Sequence, residues 1–341
     1  MGDLVSIIVP VYNMENSIET CVKSLQSQDY DNVEIILIDD GSTDKSYDRC
    51  LHIASLDKRV KAYHTENRGS GPARNYGIEQ SSGKYAYFPD ADDYLDSTAI
   101  STLVKAMCGG KYDLVVFGYQ NLNQNGKILF TKKYEPFSAS GSDIRYDYTA
   151  YISTNAKFGI QGAPWNKFFD LDVIRKFKIE YPPLRRHQDE GFIARYMCHA
   201  ENVRFIEDVL YTYYVNDLKK EWQKYPVDYI DAVMGLYETR KQTILTWNEN
   251  DKKTHDWIAK EYVCKVIKAL ELSFSPKMKL DKRQRKDWII TTWKKSNASN
   301  MTGDFGLRNY QKIVKHFLDA SRYRMAYMIL HLKVFVEKII R

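Results

Sequence analysis

The sequence predicts an α/β fold, a mostly parallel sheet flanked by helices, followed by a helical C-terminal region. Three observations predict it. Through roughly the first hundred residues, short apolar runs alternate with stretches of helical spacing, the pattern of strands joined by crossover helices. The clusters Asp39-Asp40 and Asp90 to Asp93 each follow an apolar run, which places them at the carboxyl edge of such a sheet, where ligands bind. After about Asn216 the apolar residues recur every three or four positions up to Arg341, as in amphipathic helices.

The elements follow in order. Val5 to Pro10 is a nearly continuous apolar run, as in a strand covered on both faces. Ile18, Cys21, Val22 and Leu25 then share one helical face. Val33 to Ile38 reads as the second strand, followed by a helix from about Ser46 to Leu56 and a short strand from Val60 to His64. Asn67 to Gly71 reads as a loop, Arg74 to Glu79 as a helix, and Tyr85 to Phe88 as the fourth strand. Leu114 to Tyr119 is a further strand, and the polar, tyrosine-rich residues 120–160 are expected to form hairpins and loops. Lys219-Lys220 and Pro226 interrupt the pattern and mark the domain boundary, near residues 216–226.

Composition narrows the function classes. The chain has 341 residues, 44% of them hydrophobic, and a net charge of +6. That suffices for one large core or two modest ones. Its 26 tyrosines read as half-buried amphipathic surface and a polar ligand groove. No apolar run is long enough to span a bilayer, and no basic leader precedes Val5. Cys21, Cys50, Cys108, Cys198 and Cys264 lie far apart with no C-x-x-C pair, which argues for reduced core thiols over a disulfide frame or zinc site. A cytoplasmic location is therefore expected. The mild positive charge comes without an aromatic-basic module, so diphosphate or anionic lipid is the expected partner, and no nucleic acid.

Four constellations carry chemistry. Asp90-Ala91-Asp92 ends an apolar strand. Two carboxylates at that spacing can share a hard divalent cation, which prefers oxygen ligands and leaves room for substrate phosphates. Asp39-Asp40-Gly41-Ser42-Thr43-Asp44 puts carboxylates at a strand end, within reach of a base or ribose. Asn67 to Asn75 is a glycine loop leading into a helix, with Arg74 as a charge for a diphosphate. His187-Gln188-Asp189-Glu190-Gly191-Phe192 offers a carboxylate for general-base work. Each has a structural alternative when taken alone: an acidic turn, a capping turn, an ion pair, an acidic helix start.

Together their order resembles the family 2 glycosyltransferases with the GT-A fold. The resemblance rests on Ser6 to Asn13, Asp39 to Asp44, Ala73-Arg74-Asn75 and Asp90 to Asp93, with Pro164-Trp165-Asn166-Lys167 and Gln188 to Phe192 as the later blocks. It covers roughly residues 4–215. It implies a Rossmann-like GT-A catalytic domain over residues 1–220, with a nucleotide-sugar half (1–105) and an acceptor half (106–220), and a helical region over 221–341. Pro10, Tyr12 and Glu15 would line the nucleobase and ribose pocket, and Asp40, with Asp39, would bind the uracil or ribose. Arg74 would face the diphosphate or sugar, Asp90 would touch ribose or sugar, and Asp92 would ligate Mn2+ or Mg2+. Asp189 matches the catalytic base, and Trp165 and Asn166 would shape the acceptor side.

The chain departs from the family pattern at two places. Gln188 stands where an acidic residue is usual, and the usual arginine-rich loop is replaced by Val215 to Trp222, where Lys219 or Lys220 takes the phosphate-binding role. The implied reaction is inverting transfer of a hexose or N-acetylhexosamine from a UDP-sugar to a glycan or lipid-linked oligosaccharide, in surface polysaccharide synthesis. A nucleotidyltransferase and a non-catalytic carbohydrate-binding protein are the alternatives. Ile313, Phe317, Ala320, Tyr327, Leu330, Val334 and Ile340 are expected to form an apolar stripe flanked by lysines and arginines. Such a stripe would give peripheral contact with the inner face of the cytoplasmic membrane or with a partner subunit, or would pack on the catalytic domain with its lysines facing water, and an oligomer is compatible with it.

Overall fold

The computed structural model describes residues 2–108, 112–123, 125–152, 158–160, 162–184, 186–215, 228–247 and 251–340. The chain divides into two compact units, Met1–Asp217 and Leu218–Arg341.

The first unit opens with β1 (Val5–Val11), α1 (Ile18–Gln26), β2 (Val33–Asp40), α2 (Ser46–Leu56), β3 (Val60–Thr65), α3 (Ser70–Gln80) and β4 (Tyr85–Tyr87). β5 (Tyr94–Leu95), α4 (Ala99–Cys108), β6 (Leu114–Asn123), β7 (Ile128–Lys132), β8 (Phe137–Ser140), α5 (Gly141–Tyr146) and α6 (Tyr148–Ile152) follow. β9 (Lys167–Asp170), α7 (Leu171–Lys176), α8 (Gln188–Met197) and β10 (Asn202–Val215) complete it. Among the described residues the strands form one mixed sheet in the order β3-β2-β1-β4-β9-β6-β10-β5, with β7 on β6 and β8 on β10. β1, β2, β3 and β4 pair in parallel, while β9 runs antiparallel to both β4 and β6.

Local sequence explains the first strands. Val5, Ile7, Ile8 and Val9 are fully buried, as are Ile35, Ile36, Leu37 and Ile38, because helices cover the sheet. Ile18, Cys21, Val22 and Leu25 are the buried face of α1, and each buried aliphatic side chain contributes about 1.5–3 kcal/mol. α3 lies close enough to β1 that a Cβ on Gly77 would come within 2.3 Å of Ile8, so only glycine fits there. The helix begins at Ser70, earlier than expected, because Gly69 takes φ 100 and turns the chain into it.

Three sequence readings change. β9 and the long β10 did not register as strands, because β9 has only four residues and β10 is broken by register shifts between Phe205 and Tyr211, around Glu207-Asp208. The tyrosines divide between core and half-buried surface: Tyr87, Tyr148, Tyr151, Tyr181, Tyr196 and Tyr211 are fully buried, whereas Tyr30, Tyr112 and Tyr213 are half-buried. Most of the fully buried ones satisfy their hydroxyls, as when Tyr196 donates to Asp113 O at 2.6 Å. Residues 120–160 hold a β6–β7 hairpin, but also β8 and two short helices.

The second unit contains α9 (Tyr229–Thr246), α10 (Lys252–Leu272), α11 (Lys282–Ser296), α12 (Asn309–Asp319) and α13 (Tyr323–Ile340). Its core includes Val263, Val266, Leu270, Trp293, Val314, Leu318 and Leu330. The expected outward stripe is corrected here. Tyr327 and Leu330 are buried in that core, while Ile313 is 47% exposed, because α12 turns Val314 and Leu318 inward instead. The Ile340 side chain lies outside the described residues.

Candidate active site

The loops after β1 and β2 are tied together. Asn13 takes φ 54 and accepts from Thr43 N–H at 2.9 Å, while its own N–H donates to Ser42 Oγ at 3.0 Å. Glu15 Oε2 accepts from Lys45 N–H at 3.1 Å, at the start of α2. Pro10 is half-buried and Tyr12 is 44% exposed, so Tyr12 offers its ring outward.

Asp39 and Asp40 differ. Arg68 N–H and Gly69 N–H donate to the two oxygens of Asp40, at 2.9 and 2.8 Å. Burial nonetheless pushes its carboxyl up from the usual range, against those two donors. Asp40 therefore holds the loop that launches α3. Asp39 is fully buried; its Oδ2 accepts from Ser42 N–H at 3.2 Å and lies 2.7 Å from His64 Nδ1. Its Oδ1 is buried with no partner among the described residues. Of the two, Asp39 is the one with an uncommitted acceptor. The sequence reading had His64 only as the end of a strand. The signal for it was available only through register, because β3 sets His64 opposite Asp39.

Arg74 is the hub of the site. Its guanidinium is buried from solvent, donates through Nη1 to Asp189 Oδ1 at 2.9 Å and through Nη2 to Asp90 Oδ1 at 2.6 Å. It also lies 5.4 Å from the centre of the Tyr181 ring. Asp90 and Asp189 keep 33% and 31% of their side chains exposed, so both remain open to solvent. Desolvation pushes the Asp189 carboxyl up to about 6, with Arg74 opposing the rise and Asp90 adding to it. Asp189 sits in the first turn of α8. Gln188 beside it is buried and donates to Ser70 Oγ at 2.8 Å, a bond that an ionised acid in its place cannot donate.

The turn after β4 crowds negative charge. Asp93 is buried and accepts from Tyr211 O–H at 2.6 Å and from Tyr214 N–H at 3.0 Å. Burial, then the charges of Asp90 and Asp92, drive its carboxyl upward. Asp92 is half-buried on the same turn. Among the described residues no three ligand-type side chains form a cage. The donor set fits a hard divalent cation held by Asp92 and completed by phosphate oxygens, which would relieve the crowded charge.

Trp165 stacks on Tyr211 at 4.9 Å between ring centres and on Tyr213 at 6.0 Å. The same Tyr211 hydroxyl accepts from Asp90 N–H at 3.1 Å, linking Trp165 to the acidic turn. Asn166 differs from its expected role: it is buried and donates to Phe117 O at 3.3 Å, so it braces the sheet rather than lining a cleft. Lys167 is fully buried, donates to Asn166 Oδ1 at 2.7 Å and to Ala163 O at 2.5 Å, and is lowered to about 7 by desolvation. Lys219 and Lys220 lie outside the described residues.

Comparison with known proteins gives this geometry a family. Residues 6–163 match the profile "Glycosyl transferase family 2". EpsH of Bacillus subtilis (strain 168) is 32% identical over 257 residues, 73% of this chain and 70% of that protein. The glycosyltransferase GlyG of Streptococcus pneumoniae serotype 4 is 30% identical, over 62% of this chain and 71% of that protein. The structure of S. aureus TarS 1–349 in complex with UDP-GlcNAc is similar in fold, with TM-score 0.64 and 17% identity over 96% of this chain and 90% of that one. Mannosyltransferase PcManGT from Pyrobaculum calidifontis, in complex with GDP-Man and Mn2+, reaches TM-score 0.53 at 14% identity, over 99% of this chain and 88% of that one. A nucleotidyltransferase and a non-catalytic binding protein are set aside by these relatives. The chain belongs to glycosyl transferase family 2 and is a glycosyltransferase with the GT-A fold.

Proposed function

We propose that the enzyme is inverting and moves a hexose or N-acetylhexosamine from a UDP-sugar to a hydroxyl of a glycan or lipid-linked oligosaccharide. The setting is surface polysaccharide synthesis in the cytoplasm. The observation that carries this reading is Arg74, which bridges Asp90 on the donor side and Asp189 on the acceptor side. Donor phosphate and acceptor hydroxyl would meet across one guanidinium. Asp189 accepts the proton of the acceptor hydroxyl as its oxygen bonds to the anomeric carbon. The bond from that carbon to the diphosphate oxygen breaks, and its electron pair leaves with the nucleoside diphosphate. A carboxyl with a pKa of about 6 is ionised at neutral pH yet basic enough to share a proton in the transition state.

Asp39 Oδ1 is the acceptor suited to a uracil imino N–H, with Pro10, Tyr12 and Glu15 around the base and ribose. Asp40 shapes the same pocket through the loop at Arg68. UDP and UDP-GlcNAc in the TarS structures support the uridine choice. Asp92 would hold Mn2+ or Mg2+, which as a Lewis acid would stabilise charge on the leaving diphosphate. Lys219 or Lys220 would close on that diphosphate, and Trp165 would stack against the acceptor sugar. A donor screen tests the whole reading. Nucleotide release is measured with UDP- and GDP-sugars plus Mn2+, with and without a polysaccharide acceptor. Release from a UDP-sugar, raised by acceptor and lost on chelation, is the expected result; release from GDP-sugars alone overturns the uridine assignment.

A further inference from the structure

The last helix, α13, is apolar on two opposite faces. One carries Ala326, Tyr327 and Leu330 into the core of the C-terminal unit. The other carries Met325, Met328, Leu332 and Phe335, which are 43%, 61%, 62% and 54% exposed. These four recur at i, i+3, i+7 and i+10, a stripe about 15 Å long on one side of the helix. Apolar side chains exposed in one contiguous row, rather than singly, mark an interaction surface. This stripe therefore needs an occupant.

The stripe is part of a groove of about 910 Å³ shared with the first turns of α11. Lys282 and Lys286 of α11 and Arg324 of α13 line that groove, and no acidic residue lies among its described lining residues. Lys286 also lies 5.5 Å from the centre of the Tyr327 ring, which holds its charge beside the apolar stripe. Arg285 is committed locally, donating to Ser273 O and Leu280 O, both at 2.8 Å. The groove thus joins a flexible, methionine-rich apolar surface to a cluster of cations. Unbranched methionines adapt to an irregular partner instead of demanding one fixed shape.

We propose that this face docks on an anionic lipid bilayer. Met328, Leu332 and Phe335 enter the acyl boundary, and Lys282, Lys286 and Arg324 meet lipid phosphates. A lipid surface supplies both complements at once, apolar chains beneath a layer of negative charge. The inference uses only the C-terminal unit's own surface and stands or falls independently of the donor and the base.

The test is flotation of the full-length chain with vesicles. One set contains phosphatidylglycerol and phosphatidylcholine in equal parts; the other contains phosphatidylcholine alone. The expected result is binding to the anionic vesicles at low salt, weakening as salt is raised. A Met328→Ser/Leu332→Ser variant lowers the bound fraction roughly tenfold, since two apolar contacts with the bilayer are lost. Lys282→Glu/Lys286→Glu removes the salt-sensitive part. All four positions are at the surface or groove rim, and donor hydrolysis by the catalytic unit, with unchanged circular dichroism, reports that each variant folds. Absence of flotation at low salt overturns the proposal, as does equal binding by wild type and both variants. Equal affinity for neutral vesicles overturns the role of the lysines. If light scattering finds a dimer that the serine variant dissociates while vesicles remain unbound, the occupant is a second copy and the proposal fails.

Discussion

The two halves of the catalytic unit, donor side and acceptor side in the proposed reading, are built by different rules. On the donor side β3, β2, β1 and β4 lie side by side, parallel and joined by helices. Each functional cluster there is a contiguous run at a strand end. On the acceptor side β9 is inserted antiparallel between β4 and β6, and β10 follows only after the α8 segment. The acceptor-side groups therefore come from distant parts of the chain. Asp189 reaches Arg74 across 115 residues, and Tyr211 reaches Asp93 across 118. The proposed donor pocket is local sequence at a sheet edge, whereas the proposed chemistry depends on one buried arginine that joins Asp90, 16 residues away, to Asp189, 115 residues away.

The largest expected effect falls on the acceptor side. Asp189→Asn should lower kcat by about 10³-fold, within the usual range for a general base, while UDP affinity measured by calorimetry stays near wild type. Loss of UDP binding with turnover intact would show that the residue serves the donor instead. The wild-type pH profile sharpens this. Because burial raises the Asp189 carboxyl to about 6, it carries a proton below that value and cannot accept another. The rate should fall tenfold per pH step as pH drops below about 6, and the Asn variant should lose that limb.

Next in size is the bridge between the halves. Arg74→Met leaves Asp90 and Asp189 facing each other without their shared cation. Each lost charge-assisted bond costs about 1.5–3 kcal/mol where buried, and both acids are about a third exposed, so the lower end applies. Thermal unfolding should show a drop of roughly 3 kcal/mol in stability, the lower end for two such bonds, together with a large loss in kcat. Unchanged stability would mean that the bridge is incidental.

The donor pocket should respond more gently, and its two aspartates should separate. Asp39→Asn is expected to weaken UDP binding about tenfold, the scale of one hydrogen bond to a charged group, and to lower the melting temperature modestly, since the buried carboxylate also accepts from Ser42 N–H. Asp40→Asn weakens the two backbone bonds that hold the loop at Arg68 and Gly69, so it should lower the melting temperature more and UDP affinity less. The reverse pattern would return the nucleobase role to Asp40. The smallest effect is expected from His64→Ala. It removes one of the two partners of Asp39 Oδ2, leaving Ser42 N–H, and UDP affinity should fall only a few-fold. A loss as large as that of Asp39→Asn would make His64 a direct partner of the base.

How much of this was legible follows from the same contrast. Val5 to Pro10, Val33 to Ile38 and the helical face of Ile18, Cys21, Val22 and Leu25 could be read because a covered parallel strand and an amphipathic helix leave periodic signatures in a single stretch. Asp39-Asp40 and Asp90 to Asp93 were legible for the same reason, as polar runs at the ends of those strands. β9 and β10 were not, because a short strand and a bulged strand lose the period that would announce them. The C-terminal helices were legible as helices, yet the chosen stripe was wrong. Both sides of α13 are apolar, and periodicity alone does not say which side finds the core.

The sequence by itself therefore determined the α/β order, the parallel donor-side strands and the residue types at their carboxyl edge, since these depend on neighbours within about ten positions. It also determined that an arginine and three separated acidic clusters were present. Only the tertiary structure decided which acids share Arg74, that Asp40 is committed to backbone while Asp39 keeps a free acceptor, and that Asn166 faces the core. These are outcomes of sheet register and of burial. Both are set by packing between segments far apart in the chain, where the cost of an unpaired buried charge selects the partner.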